Sequence, residues 1–254
     1  MRVTGAARAW RLRVHDELAS TQDGVLAAAQ SGEAEGFALL ARRQAAGRGT
    51  QGRAWSSPPG NLYLSFLLRP GGSARELPQW SLLMAVALAE ALAPLLPEPG
   101  RLQLKWPNDV LLDGAKCAGI LTQAAPGEGG GIAWLVSGIG VNLAEAPLLP
   151  DRPTASLRQA GVIPPGPVAF AWSLLSSVDR WCGIQAREGF APVRRAWVAL
   201  GPALGTTLRL TRPEGGFEGQ YRGLSDDGRL LLDTASGPRA LASGEILPAP
   251  AMGA

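Results

Sequence analysis

The spacing of apolar positions divides the chain into short strands and a few helices. Trp10 to Val14 alternates polar and apolar side chains, the period of a strand. Ser20 and Thr21 then offer hydroxyls suited to a helix N-cap, and an Ala-rich stretch runs on to Gly32, a residue that ends helices. Gly36 to Arg42 is an apolar run of strand length, and Asn61 to Arg69 mixes apolar and aromatic residues up to Pro70. Between them, Gly47, Gly49, Gly52 and Gly60 mark residues 44 to 60 as a loop. Leu77 to Leu96 reads as the strongest helix, with Pro78 tolerated in its first turn and a broad apolar face. Strands are expected on both sides of Asp113-Gly114, a tight-hairpin dipeptide, and again over Ile132 to Leu143. Val168 to Glu188 and Ala191 to Leu200 have helical patterns.

Beyond Gly201-Pro202 only short strands are expected: Thr206 to Thr211, Phe217 to Leu224, Arg229 to Thr234 and Pro238 to Leu241. Asp227-Gly228 and Ser236-Gly237 supply turns between them. A segment of about 45 residues could form a small barrel, but is short for an independent folder. The expected organisation is a main domain over 1–202 and a small β domain over 203–254, the latter ending in a short tail.

Composition narrows the class. With 254 residues, 46% of them hydrophobic, the chain can bury a substantial core. Lys and Arg number 24 against 21 Asp and Glu, a formal charge of +3. That small surplus suits an enzyme for anionic substrates and does not by itself indicate nucleic acid. The two cysteines, Cys117 and Cys182, share no disulfide or metal spacing with the single His15, which points to the reducing cytosol. No signal-peptide core opens the chain, and no uncharged run reaches the ~18 residues of a spanning helix. The expectation is a cytoplasmic protein with no membrane association.

Three segments carry candidate chemistry. In Gly47-Arg48-Gly49-Thr50-Gln51-Gly52-Arg53, glycines allow close backbone approach and arginines supply charge, so the loop could hold an anion. A solvated flexible loop is the plainer reading, and the Gly-Lys-Ser/Thr ending of a P-loop is missing. In Lys105-Trp106-Pro107-Asn108-Asp109, Lys105 could meet phosphate, and Asn108 or Asp109 could meet Mg²⁺ or ribose. The alternative is an Asx-type turn with Trp106 in the core. In Lys116-Cys117-Ala118-Gly119-Ile120-Leu121, strict alternation would put Lys116 on one face with Ala118 and Ile120, opposite Cys117. Cys117 reads as a small buried hydrophobe without a histidine partner.

Taken in order, Ser20-Thr21-Gln22, Gln44 to Gly49, Arg53 to Pro58, Asn61 to Ser65, Lys105 to Asp109, Lys116 with Gly119-Ile120-Leu121, and Gly138 to Asn142 resemble the biotin–protein ligase family. The resemblance is strong over residues 15–145, and looser from Gly205, where it is to the family's SH3-like domain. It implies an α+β fold. A mixed β-sheet packed with helices, akin to class II aminoacyl-tRNA synthetases and lipoate ligases, would precede a small C-terminal β-barrel. It implies activation of biotin by ATP to biotinyl-AMP, and transfer to a lysine of a biotin carboxyl carrier protein or domain. Arg48 and Lys116 would be catalytic. Biotin would be bound by Ser20, Thr21, Gln22, Gln44, Gly47, Arg48, Gly49, Thr50, Lys116 and Gly119. ATP would be met by Arg48, Arg53, Trp55, Lys105, Asn108, Asp109 and Asn142, with Mg²⁺ on Asp109.

Gln22 replaces the usual Asn, Thr50 a frequent Arg, and Gln123 a common Glu. Regulatory members carry a DNA-binding winged helix, for which there is no room before Ser20, so a ligase without repressor function is expected. Oligomeric state stays open, a homodimer included. The alternatives are a lipoate or octanoate ligase or transferase of the same fold, and, from another class, a nucleic-acid-binding module built on the Gly/Arg loop and tryptophans.

Overall fold

The computed structural model describes residues 8–98, 100–211 and 215–247. Its order is β1 (Arg11–Leu18), α1 (Thr21–Gln30), β2 (Phe37–Gln44), β3 (Leu62–Leu68), α2 (Leu77–Leu92), β4 (Leu102–Lys105), β5 (Asp109–Leu112), β6 (Ala115–Pro126) and β7 (Ile132–Val141). Then follow α3 (Pro167–Glu188), α4 (Ala191–Leu200), β8 (Thr207–Thr211), β9 (Phe217–Leu224), β10 (Leu230–Thr234), β11 (Gly237–Leu241) and β12 (Glu245–Ile246). The first seven strands form one mixed sheet in the order β1-β2-β3-β7-β6-β5-β4, in which only β1 and β2 run parallel. The last five form a separate antiparallel sheet, β11-β10-β9-β8-β12.

Alternation along the central strands sorts side chains onto two faces. Ala38, Leu40, Leu64, Phe66, Ile120, Ile139 and Val141 pack with α2, α3 and α4 in the main core. Phe37, Leu39, Leu67 and Val136 pack on the other face with Val25 and Ala29 of α1. Strand β3 is covered on both faces and is buried throughout, so its sequence shows little amphipathic contrast. Ser20 caps α1 as expected, its side chain accepting from Asp23 N at 3.3 Å, and Gly32 follows the helix with φ +83°. Helix α1 covers only part of its face of the sheet, and the uncovered part is where the cleft lies.

Helix α2 is apolar on every side: Leu82 through Ala89 are all buried. The stretch Ala74–Leu95 has the length and composition to cross a membrane, yet 67% of its apolar window is buried inside the protein, the signature of a core helix. The main core continues into the second sheet through Leu208, Tyr221, Leu224 and Leu230, so the two sheets share one apolar interior. Across the surface of that junction, Arg194 pairs with Asp226 at 2.6 Å.

One expectation fails here. A register shift between Val110 and Leu111 puts a bulge in β6 at Lys116 and Cys117, because Leu111 pairs with Lys116 while Val110 pairs with Ala118. Lys116 therefore does not share the face of Ala118 and Ile120, which are core residues; its ammonium lies over Gly119 instead.

Candidate functional site

Three adjacent strands build the floor of the cleft. The pairing sets Tyr63, Gly140 and Gly119 in one row, and Ser65, Gly138 and Leu121 in the next. A third row, Leu67, Val136 and Gln123, lies beyond, where Leu67 and Val136 are covered by α1. Glycines hold the floor open. A Cβ on Gly140 would stand 2.5 Å from the Trp55 indole, one on Gly119 would stand 2.9 Å from it, and one on Gly138 would stand 2.5 Å from Gln22 Oε1.

The walls come from α1 and the glycine-rich loop. Ser20, Thr21, Gln22, Gln44, Arg48, Gly49, Thr50, Trp55, Asn108, Lys116 and Gly119, all expected from the sequence, line this one cleft. Gln44 Oε1 accepts from Thr21 N at 2.8 Å, while its Nε2 donates to Ser57 Oγ at 3.1 Å, so its amide is held from both ends. Thr21 Oγ1 and Ser65 Oγ share a hydrogen bond of 2.9 Å. Arg48 sits on the rim, half exposed, in an ion pair with Asp23.

Lys116 anchors the other end. Its Nζ lies 2.6 Å from Asp109 Oδ1 and 5.6 Å from the centre of the Trp55 ring. The bulge frees its backbone from regular pairing, and the segment after Pro150 takes it up: Lys116 N donates to Pro153 O at 2.9 Å and Ala155 N to Lys116 O at 3.0 Å. Asn142 braces the same junction, with Nδ2 on Ala155 O at 3.2 Å and its backbone N on Cys117 O at 2.8 Å. Asn108 Nδ2 donates to Ile120 O at 2.7 Å, fixing the turn between β4 and β5. Trp106 is core, and the Trp106–Pro107 bond is cis.

The cleft opens sideways into a wider one of about 570 Å³, lined by Gly47, Arg53, Trp55, Lys116, Asn142, Asp151 and Arg152. The first holds only about 50 Å³, since Trp55 lies across its floor at the Lys116 end. Lys105 and Asp109 lie beyond Lys116, on the side facing the second sheet. Burial lowers the Lys105 pKa, opposed by the carboxylates of Asp109 and Glu245, so its charge is held where an anion would relieve it. Basic side chains thus flank the wide cleft, a setting for a polyanion.

Several participants escaped the sequence reading. Arg152 and Glu245 do not stand in the motifs, yet Glu245 on β12 bridges Arg53 at 2.8 Å and Arg152 at 3.0 Å, tying the second sheet to the glycine-rich loop. Asp23, partner of Arg48, carried no distinct signal, and Ser57, partner of Gln44, stood in the Arg53 to Pro58 motif without an assigned role. The Gly138-x-Gly140 spacing did carry one: period-two glycines in a buried strand mark a face kept clear.

The chain is similar to known proteins over most of its length. Residues 18–142 match the Biotin/lipoate A/B protein ligase family, and residues 204–247 match the Biotin protein ligase C terminal domain. The chain is 37% identical over 219 residues to a biotin–[acetyl-CoA-carboxylase] ligase of Paracoccus denitrificans, covering 82% of this chain and 88% of that one. It is 33% identical over 249 residues to the enzyme of the same name from Mycobacterium tuberculosis, covering 96% and 91%. The structure of the Aquifex aeolicus biotin protein ligase in complex with biotin and ATP superposes with a TM-score of 0.77 at 29% identity, over 92% of this chain and 97% of that one. On that sequence and fold, the chain belongs to the biotin–protein ligase family.

Proposed function

We propose that this chain activates biotin with ATP in the glycine-floored cleft and passes it to a lysine of a biotin carboxyl carrier protein or domain. The observation that carries the reading is the shape of the site. A narrow cleft with neutral polar walls ends at Lys116, and there it joins a wider cleft flanked by Arg53, Lys105 and Arg152. A carboxylate entering the first cleft and a nucleotide entering the second meet at Lys116.

In the first step a biotin carboxylate oxygen attacks the α-phosphorus of ATP and pyrophosphate leaves. Two unit charges about 4 Å apart repel by ~4 kcal/mol at an effective dielectric near 20, roughly a thousandfold in rate if uncompensated. Lys116, on the floor, and Arg48, on the rim, offset that repulsion and the charge spreading over the phosphoryl oxygens. In the second step the acceptor amine attacks the acyl carbon of the mixed anhydride, loses a proton, and AMP leaves. Neither step needs an enzyme nucleophile. Trp55 must leave Gly119 and Gly140 for a ligand to occupy that floor, and the loop that carries it can then cover the anhydride and exclude water.

Among the described residues no group of three His, Cys, Asp or Glu side chains is arranged to hold a metal. A Mg²⁺ would therefore arrive on the ATP phosphates, with the oxygens of Asp109 as the carboxylate donor such a hard cation favours. There it would neutralise phosphate charge. Two free cysteines, both shielded, fit the reducing cytoplasm. Calorimetry with biotin and then with a non-hydrolysable ATP analogue tests the reading. Both should bind, each more tightly in the presence of the other; binding of neither, in well-folded protein, would refute it.

A further inference from the structure

Between β7 and α3 the chain leaves the mixed sheet in a long excursion, and part of it lines the wide cleft through Pro147, Leu149, Asp151, Arg152 and Thr154. Another stretch of the same lining is the glycine-rich loop, from Gln44 to Ser57. Leu148, at the tip of the excursion, is 99% exposed, so burial of the tip does not hold this wall in place. It is set from its base.

Two grips close that base. Leu157 N donates to Asn142 O and Arg158 N to Leu143 O, each at 3.1 Å, which joins the returning chain to the end of β7. The departing chain is held by Asn61, a fully buried residue just before β3. Asn61 Oδ1 accepts from Ala144 N at 2.8 Å and from Glu145 N at 3.1 Å, while Nδ2 donates to Glu145 O at 2.7 Å. Two donors on one side and a carbonyl on the other fix which way the amide faces. At the same contact a Cβ on Gly60 would stand 2.9 Å from that of Ala144. Two residues past Asn61, Tyr63 Oη donates to Pro58 O at 2.6 Å. The end of the glycine-rich loop and the start of the excursion are therefore fastened together at Gly60-Asn61. Asn61 itself lines neither cleft.

We propose that Asn61 is a positioning residue for the nucleotide: its amide holds Ala144 and Glu145 so that residues 147–154 stand ready as a wall of the wide cleft. This rests on the reading of that cleft as the ATP site. Without the amide, two backbone N–H groups and a carbonyl lose their partner, and the excursion is tethered chiefly at its returning end. Its added freedom must be given up when a nucleotide binds, so the cost falls on nucleotide affinity. Biotin is spared, because no residue of 144–156 lines the narrow cleft. Asparagine is suited to the task, since it offers an acceptor for two N–H groups and a donor for the carbonyl in one short rigid group. Aspartate keeps the acceptor but sets a second oxygen against the Glu145 carbonyl.

The test is steady-state ATP–pyrophosphate exchange by the full chain at saturating biotin, alongside calorimetric titration with biotin alone. Asn61→Ala should raise the KM for ATP by about tenfold or more, the scale of the hydrogen bonds lost, with kcat and the biotin Kd within about twofold of wild type. Asn61→Asp, which keeps the side-chain volume, should show the same split between ATP and biotin, and it decides alone if the alanine variant does not fold. An unchanged KM for ATP, or equal losses for ATP and biotin, would overturn the proposal. Failure of both variants to fold would make Asn61 a structural residue and overturn it as well. No biotin-dependent exchange by the wild-type chain would instead overturn the reading of the site itself.

Discussion

Lys116 Nζ stands 2.6 Å from Asp109 Oδ1, with side-chain exposures of 17% and 12%, so the ligand-free site stores its central cation against a buried carboxylate. A substrate carboxylate or phosphate brought to Lys116 competes with Asp109 for it, and Asp109 would then have an oxygen to spare for a phosphate-borne cation. Lys116→Ala is expected to lower biotinyl-AMP formation at least tenfold, the scale of a lost charge-assisted contact. It should also destabilise the fold by about 1–3 kcal/mol by leaving Asp109 unpaired. Adding Asp109→Asn should recover stability but not adenylation, read by thermal melts and pyrophosphate exchange.

Gly140 keeps the floor clear at the reaction end. Gly140→Ala would put a methyl 2.5 Å from the Trp55 indole, a distance no real pair of carbons holds. Trp55 is the part that can yield, since it belongs to a loop and its indole N–H has no partner. The expected outcome is a melting temperature close to wild type, with biotin affinity reduced by tenfold or more. Unaltered affinity would show that the ligand does not lie over Gly140.

Glu245 gives the junction between the second sheet and the glycine-rich loop a pH dependence. Burial pushes its pKa up, but the Arg53 hydrogen bond and the charges of Arg53 and Arg152 outweigh that, and the net shift is downward. A carboxyl with a folded pKa below its unfolded value contributes stability above the unfolded pKa, and loses it as pH falls through the folded one. The wild-type melting temperature should therefore fall on acidification through and below the ordinary glutamate range. Glu245→Gln should flatten that part of the curve and cost about 0.5–1 kcal/mol at neutral pH, discounted for the exposure of Arg53.

Both cysteines should be silent towards thiol reagents. Burial raises the Cys117 thiol to about 12, and Cys182 to about 11, so neither supplies thiolate near neutrality. Labelling with a chromogenic disulfide should be negligible in native protein and complete after denaturation. Rapid native labelling of Cys117 would contradict the packing around the β6 bulge.

Much of this was legible in the sequence where local chemistry decides structure. Ser20 marked the start of α1, Gly32 its end, Asp113-Gly114 a hairpin, and the strands after residue 206 declared themselves by alternation between turn residues. The candidate side chains from Ser20 to Lys116 were legible too, by the order of their motifs, and most of them meet in one cleft. What could not be read was set by pairing between distant segments. The parallel pairing of β1 with β2 has no local signature, and the bulge that turns Lys116 towards Gly119 comes from the register of β6 against β5. Glu245 meets Arg53 only because the second sheet docks beside the loop. Gln22 and Gln123 each looked like an isolated departure, and only the fold shows that they hydrogen-bond to one another.

The most direct measurement is ATP–pyrophosphate exchange by the purified chain with biotin, with lipoate and with neither. Exchange that appears with biotin, stays at background with lipoate, and falls at least tenfold in Lys116→Ala is the expected result. Exchange driven by lipoate in preference to biotin, or undiminished in Lys116→Ala, would contradict the assignment of this cleft.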